Sequence, residues 1–244
     1  MRLRRVVLLL LALSACKGPS GDAVTAFSSS TTSASSTTTT TSLPPITTAV
    51  PADVPATSDK RLVFDTQYRP FAETGGLLVR YPTGSVEKVG FHESKLAGAQ
   101  PLSLVAGTSA PTVDMPSRER ATITRGAADI LSDPAGEVRA PVTGRVKRGG
   151  TYTLYCKYTD SFVVIEPDDH PGWEVKLLHI NGLAVRAGQR VEAGVTVVAA
   201  HPTRLPFHSQ VEDYSAEPVW THVHLEVDDP SIKNPPGVGG EPCS

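Results

Sequence analysis

Two histidines separated by one residue lie in a short segment rich in apolar residues, His222-Val223-His224. In a β-strand, side chains two residues apart project from the same face, about 6.6 Å apart along the strand. The two imidazoles would therefore face one site, and the opposite face, with Val223, Leu225 and Val227, is typical of a core. Imidazoles serve as metal ligands and as acid–base groups near neutral pH. The alternative is an accidental pair of exposed histidines.

Other segments precede this pair in a set order between residues 125 and 227. They are Ala128-Asp129-Ile130, a turn at residues 134–136, a strand-like run at 140–146, Leu177-Leu178-His179-Ile180, and the glycine-spaced segment 185–194. In this order the segments resemble the lysostaphin/LytM-type peptidoglycan metallopeptidases. The resemblance implies a two-layer β-sandwich of the LytM/duplicated-hybrid type and a zinc-dependent endopeptidase.

The same resemblance implies roles for individual residues. Asp129 and His224 would bind the metal, and His179 and His222 would orient or deprotonate a water molecule and stabilise the oxyanion. The sequence departs from the family pattern at Arg125, which stands where the family has its first histidine ligand. Because a catalytic zinc usually has three protein ligands and a water, we expect zinc only if a third ligand completes the site.

Arg125 is predicted to take over the vacated metal position. Its guanidinium would pair with Asp129 through charge-assisted hydrogen bonds. In the alternative, Arg125 points into solvent and Asp129 caps a turn. His92 and His208 lie outside the motif, and either could supply a third ligand. We interpret His92 as a polar residue that ends a hairpin strand, and His208 as a loop residue.

From residue 61 onward, short β-branched and aromatic runs alternate with Gly, Pro and Asp, which predicts an all-β sandwich or barrel. The predicted strands cover residues 77–81, 86–91, 140–147, 161–166, 174–179, 195–200 and 221–227. The first two would form a hairpin around residues 82–85. Residues 185–194 are predicted to fold back as a pair of short strands, with tight turns at the glycines. The long loop at 202–218 is expected to line a groove.

The N-terminus has the pattern of a lipoprotein signal peptide, predicted at residues 1–16. Arg2, Arg4 and Arg5 precede an apolar run at 6–13 that is too short to span a bilayer. The run ends in Ser14-Ala15-Cys16, which is similar to a lipobox, so Cys16 would carry the lipid and anchor the chain to the membrane. The alternative is an ordinary cleaved signal with a chance cysteine.

Residues 17–60 are rich in Ser, Thr and Pro and contain few large apolar side chains. They are predicted to form a disordered linker, a tether that reaches roughly 30 to 40 Å from the membrane. An N-terminal β extension is predicted at 61–118, the peptidase-like domain at 119–230 and a C-terminal tail at 231–244. We expect the chain to be lipid-anchored in the cell membrane and to face the cell wall or periplasm.

Charge and cysteine content restrict the partners. Removal of the three signal-peptide arginines moves the formal charge from −2 to −5, so nucleic acid is not an expected partner. Two cysteines remain after lipidation of Cys16. In an oxidising exterior Cys156 and Cys243 could form a disulfide.

Three functions follow from these patterns. The first is a catalytically degenerate domain that binds peptidoglycan, or a partner cell-wall hydrolase that it activates. The second is an active zinc endopeptidase that cleaves peptidoglycan cross-links with an irregular ligand set. The third is a carrier or sugar-binding barrel, which fits the glycine segment at 185–194 but leaves the histidine strand unexplained. We expect the first of these functions.

Overall fold

A computed structural model describes residues 60–119 and 123–235. The predicted signal peptide with Cys16, all but the last residue of the predicted linker, and Cys243 lie outside these described residues. No helix in the described part of the chain has both the length and the apolar character needed to cross a membrane.

Strands account for nearly all of the regular structure in the described residues. In chain order they are β1 (Phe64–Asp65), β2 (Pro70–Thr74), β3 (Leu77–Arg80), β4 (Ser85–Ser94), β5 (Ser103–Leu104), β6 (Thr112–Asp114), β7 (Ile123–Ser132), β8 (Val138–Arg139), β9 (Gly144–Leu154), β10 (Tyr158–Pro167), β11 (Glu174–Leu183), β12 (Arg190–Val191), β13 (Val197–Pro202) and β14 (Thr221–Asp228). One 3₁₀ helix covers Gln210–Tyr214. The expectation of an all-β fold is confirmed.

The strands form two sheets. The large sheet has the order β1-β4-β7-β14-β11-β10-β9-β12, with β13 paired to β11 and β8, and β6 paired to β4. The small sheet has the order β3-β2-β5. All pairings are antiparallel except the parallel pair β4–β6. Strands β4, β7, β14 and β11 are therefore consecutive neighbours in the large sheet, and side chains on one of their faces can converge.

One hydrophobic core contains side chains from both sheets. Phe71 and Val79 come from the small sheet, and Phe91, Ile130 and Leu225 from the large one; each is at most 1% exposed. Burial of each such side chain stabilises the fold by about 1.5 to 3 kcal/mol. The two sheets are thereby joined as the layers of a sandwich.

The predicted hairpin at residues 77–91 is wrong. Strand β3 pairs with β2 in the small sheet, whereas β4 pairs with β1 and β7 in the large sheet. The turn between them forms an isolated bridge from Thr83 to Val138 instead. Alternating apolar residues identify strands but not their partners, and this turn carries the chain from one layer to the other.

The prediction of two paired short strands at residues 185–194 is also wrong. Within that segment only Arg190–Val191 is a strand, and it pairs with Arg145 and Gly144 of β9. The glycines do mark tight backbone turns, because Gly188 and Gly194 have φ angles of +83° and +74°. Such angles favour glycine over residues with a Cβ atom.

The segment at 61–118 contributes a strand to the interior of the large sheet. Strand β4 pairs with β7 from Val86↔Ser132 to Ser94↔Ile123. The predicted domain boundary near residue 118 therefore falls within one continuous sheet. This pairing brings His92 into the region that contains Asp129.

Candidate metal centre

Three neighbouring strands bring a carboxylate and two imidazoles together. His224 of β14 is the cross-strand partner of Asp129 of β7, and on the other side Gly90 of β4 is also paired with Asp129. His92 lies two residues after Gly90 and so projects from the same face. The ligand atoms of His92, Asp129 and His224 lie within 4.8 Å of one another.

The contacts within this group all involve one carboxylate oxygen. Nδ1 of His224 lies 2.8 Å from Oδ1 of Asp129, and Nε2 of His92 lies 3.3 Å from the same atom. The other ring nitrogen of His92, Nδ1, lies 2.9 Å from the backbone oxygen of Glu93. A hydrogen bond from Nδ1 to a carbonyl orients a metal-binding imidazole and leaves Nε2 free to bind a metal.

The donor set fits zinc. Two imidazole nitrogens and one carboxylate oxygen match the three protein ligands of catalytic zinc sites, which leave a fourth position open. Asp129 is 5% and His92 7% exposed, so the site is shielded from most solvent competition.

The predicted pairing of Arg125 with Asp129 is wrong. Nε and Nη2 of Arg125 donate to the two carboxylate oxygens of Asp114 at 2.6 and 2.7 Å. The register between β4 and β7 shifts between His92 and Ser94, and Arg125 lies in that irregular segment with a φ angle of +56°. The irregularity directs the guanidinium toward Asp114 and away from Asp129.

Our interpretation of His92 as a polar residue that ends a hairpin strand is wrong about the hairpin. No hairpin forms there, and the ring is buried against Asp129. His208, the other residue considered as a third ligand, is paired with Asp213 at 2.7 Å, and its side chain is 60% exposed. His92 was not predicted to lie beside Asp129, because its strand β4 was expected to pair with β3 rather than with β7.

His179 is held beside this group by an irregularity in β11. Its φ angle is +61°, and the register between β10 and β11 shifts between Ser161 and Phe162. Its backbone N–H donates to Oδ2 of Asp160 at 3.1 Å, and its Nδ1 lies 2.6 Å from the same oxygen. Bulges of this kind change the direction of a side chain near functional sites.

His222 completes a cluster of four histidines. Its ring centroid lies 5.0 Å from that of His179, and the rings of His179 and His224 are 6.0 Å apart. His222 is 2% exposed, and its Nδ1 has no hydrogen-bond partner among the described residues. A buried polar atom without a partner is costly in a structural role and is frequent at functional sites.

Burial and mutual contact set the ionisation of these groups. Burial raises the pKa of Asp129, but the nearby His92 and His222 and the hydrogen bond with His224 outweigh it and hold the pKa well below its ordinary value. Burial lowers the pKa of His222 to about 3 and also lowers that of His224. For His92, burial lowers the pKa, but the charge of Asp129 and the hydrogen bonds with Asp129 and the backbone of Glu93 together outweigh it, so the pKa is raised. An ionised carboxylate therefore lies among histidines, of which His222 and His224 are neutral at pH 7.

The long loop packs beside Asp129. Val211 of its 3₁₀ helix is fully buried and lies in a small cluster with Met115 and Leu131. A Cβ atom at Gly90 would lie 3.0 Å from Cγ2 of Val211 and 2.9 Å from Sδ of Met115. Because Gly90 is the cross-strand partner of Asp129, its lack of a side chain allows the loop to approach the centre closely.

Comparisons with known proteins gave no match. No family model, no curated protein and no solved structure is significantly similar to the chain.

Cys156 lies at the turn between β9 and β10 and is disulfide-bonded. Its predicted partner Cys243 lies outside the described residues, so the pairing with Cys243 remains a prediction.

Proposed function

We propose that this protein is a zinc-dependent endopeptidase of the bacterial cell envelope that acts on peptidoglycan. The observation that carries the proposal is the convergence of His92, Asp129 and His224 within 4.8 Å, on neighbouring strands of one sheet. His92 supplies the third ligand that the motif lacks at Arg125. With His92 as a ligand the set would be complete, which supports the enzyme over the degenerate domain.

A zinc ion held by these three residues would polarise a substrate carbonyl and make a water molecule more acidic. The remaining chemistry belongs to the protein side chains. His179 is in a position to accept and return a proton at Nε2, because its Nδ1 is bound to Asp160. Neutral His222 can donate a hydrogen bond to the negative charge that develops on the carbonyl oxygen of the substrate.

Peptidoglycan is proposed as the substrate on the basis of the sequence. A lipid anchor at Cys16 and a linker of about 40 residues would hold the domain within reach of the cell wall. The order of motifs between residues 125 and 227 resembles that of enzymes that cut peptide cross-links.

A second candidate function is a metal-free binder of peptidoglycan, or an activator of a partner hydrolase. One observation favours it: His92 and His224 both contact Oδ1 of Asp129 directly. These contacts satisfy the carboxylate without an ion. The binder would use the same site, without cleaving the bound peptide.

Metal analysis combined with a wall-digestion assay separates the two functions. The enzyme predicts one zinc per chain and release of muropeptides from purified cell walls, with release abolished in His222→Ala. His208→Ala is the matched control, since His208 pairs with Asp213 at the surface, and it should digest walls as the unsubstituted chain does. Absence of zinc and of release, together with retention on insoluble peptidoglycan, would establish the binder and refute the enzyme.

A further inference from the structure

We propose that Asp160 is the positioning residue for His179: its carboxylate fixes the Nδ1-protonated tautomer of the ring and its orientation toward the centre. This inference rests on the proposed function for its catalytic consequence. The structural part, a fixed tautomer, can be tested without any activity.

A single oxygen of Asp160 holds several groups. Oδ2 accepts hydrogen bonds from the backbone N–H of His179 at 3.1 Å and from the hydroxyl of Tyr152 at 2.7 Å. Nδ1 of His179 lies 2.6 Å from the same atom. Asp160 is 3% exposed, and its other oxygen, Oδ1, has no partner among the described residues. The geometry of this carboxylate is therefore set by His179 and Tyr152.

The proton in the short contact belongs to the imidazole. An ionised carboxylate can only accept hydrogen bonds, so Nδ1 of His179 must carry a hydrogen. In the neutral ring, Nε2 then has the lone pair, which is the form that a general base requires. The side chain of His179 is 12% exposed, so the ring is not completely buried.

Asp160 also stabilises the unusual backbone at His179. A φ angle of +61° is unfavourable for a residue with a Cβ atom, and the backbone N–H at this position donates to the same carboxylate as the ring. Backbone and side chain are thus fixed together by one group on the adjacent strand β10. Such support is how a catalytic side chain is kept in its working geometry.

Tyr152 acts as a further hydrogen-bond donor to Asp160. Burial, followed by the hydrogen bond and charge of Asp160, raises the pKa of Tyr152 far above its ordinary value, so the hydroxyl keeps its proton. Tyr152 lies on β9, Asp160 on β10 and His179 on β11. The hydrogen-bonded series Tyr152, Asp160 and His179 therefore spans three consecutive strands and ends at the histidine cluster.

The test is ¹⁵N NMR of the histidine side chains in the full chain, with the His179 signals assigned from their loss in His179→Gln. We expect the Nδ1–H tautomer in the unsubstituted chain and a shift toward Nε2–H in Asp160→Asn, since the amide can donate to Nδ1. Asp168→Asn is the matched control, because Asp168 pairs with Arg190 at the surface.

In wall digestion, kcat should fall roughly 10²- to 10⁴-fold in Asp160→Asn, with little change in KM.

Each outcome decides the inference. The inference is overturned by an Nε2–H tautomer in the unsubstituted chain or by an unchanged tautomer in Asp160→Asn. Loss of zinc binding in Asp160→Asn also overturns it, because Asp160 would then be a general structural residue. Partial return of the Nδ1–H tautomer in Asp160→Glu supports it. If the expected tautomers appear but no variant digests walls, the positioning role stands and the proposed peptidase activity fails.

Discussion

His224 and Asp129 are cross-strand partners on β14 and β7, and Nδ1 of the histidine lies 2.8 Å from Oδ1 of the aspartate. Their positions are fixed by the hydrogen-bond ladder between two central strands rather than by a flexible loop. His92 reaches the same oxygen from β4, on the other side of β7. Sites on paired strands hold ligands with the precision that metal coordination requires.

Removal of the proposed third ligand, His92, should weaken the proposed zinc binding. In His92→Ala we expect zinc affinity to fall roughly 100-fold or more, because two protein ligands remain where catalytic sites use three. A competitive chelator titration measures the change, and His208→Ala provides a histidine-to-alanine control at the surface. Unchanged affinity in His92→Ala would exclude His92 as a ligand.

A histidine at position 125 should not restore a ligand. Arg125 points toward Asp114, with which it forms a two-point ion pair, so Arg125→His should leave zinc affinity within about threefold of the original. The lost surface pair should cost about 0.5 kcal/mol of unfolding free energy. A strong gain in zinc affinity would mean that position 125 faces the metal centre after all.

The backbone at His179 should favour glycine over alanine. Both His179→Gly and His179→Ala remove the imidazole, but only glycine adopts a φ angle of +61° without steric cost. We expect His179→Gly to be more stable than His179→Ala by about 1 kcal/mol, measured by urea unfolding. In an ordinary strand the alanine variant would be more stable than the glycine variant. A more stable His179→Ala would therefore contradict the bulge at His179.

Glu174 should make the free energy of unfolding depend on pH in the acidic range. Burial raises its pKa, but Arg148, which donates to both of its oxygens at 2.6 Å, and Lys147 at 3.1 Å lower it to about 2. Because the folded-state pKa is depressed, the stabilisation is complete above the ordinary pKa of 4.5 and is lost as the pH falls from there toward 2.

At pH 7 we expect Glu174→Gln to be less stable than the unsubstituted chain by about 2 kcal/mol, since Arg148 is half exposed and solvent weakens the pair. The difference should shrink as the pH falls below 4.5 and should nearly vanish only at about pH 2, in denaturant titrations. Glu166→Gln is the control, because Glu166 makes only a 3.7 Å contact with Lys147 and is 39% exposed. A difference that persists at low pH would refute the linkage.

The two faces of strand β14 were determined by the sequence alone. The alternation in β14 correctly separates the core residues Val223, Leu225 and Val227 from His222 and His224, because side chains in a strand alternate between faces. The all-β class likewise follows from the spacing of apolar runs and turn residues. The closeness of Asp129 and His224 was implied by the order of motifs and is observed in the structure.

Strand partners were decided only by the tertiary structure. His92 lies 37 residues before Asp129 and contacts it because β4 pairs with β7 rather than with β3. Local pattern carries no information about such a pairing, which depends on how two sheets share one core. Arg125 was misplaced for a related reason: an irregular segment of β7 changes the direction of its side chain, and spacing alone assumes a regular strand. The contact between Asp160 and His179 depends in the same way on the register of β10 against β11, which three-dimensional packing determines.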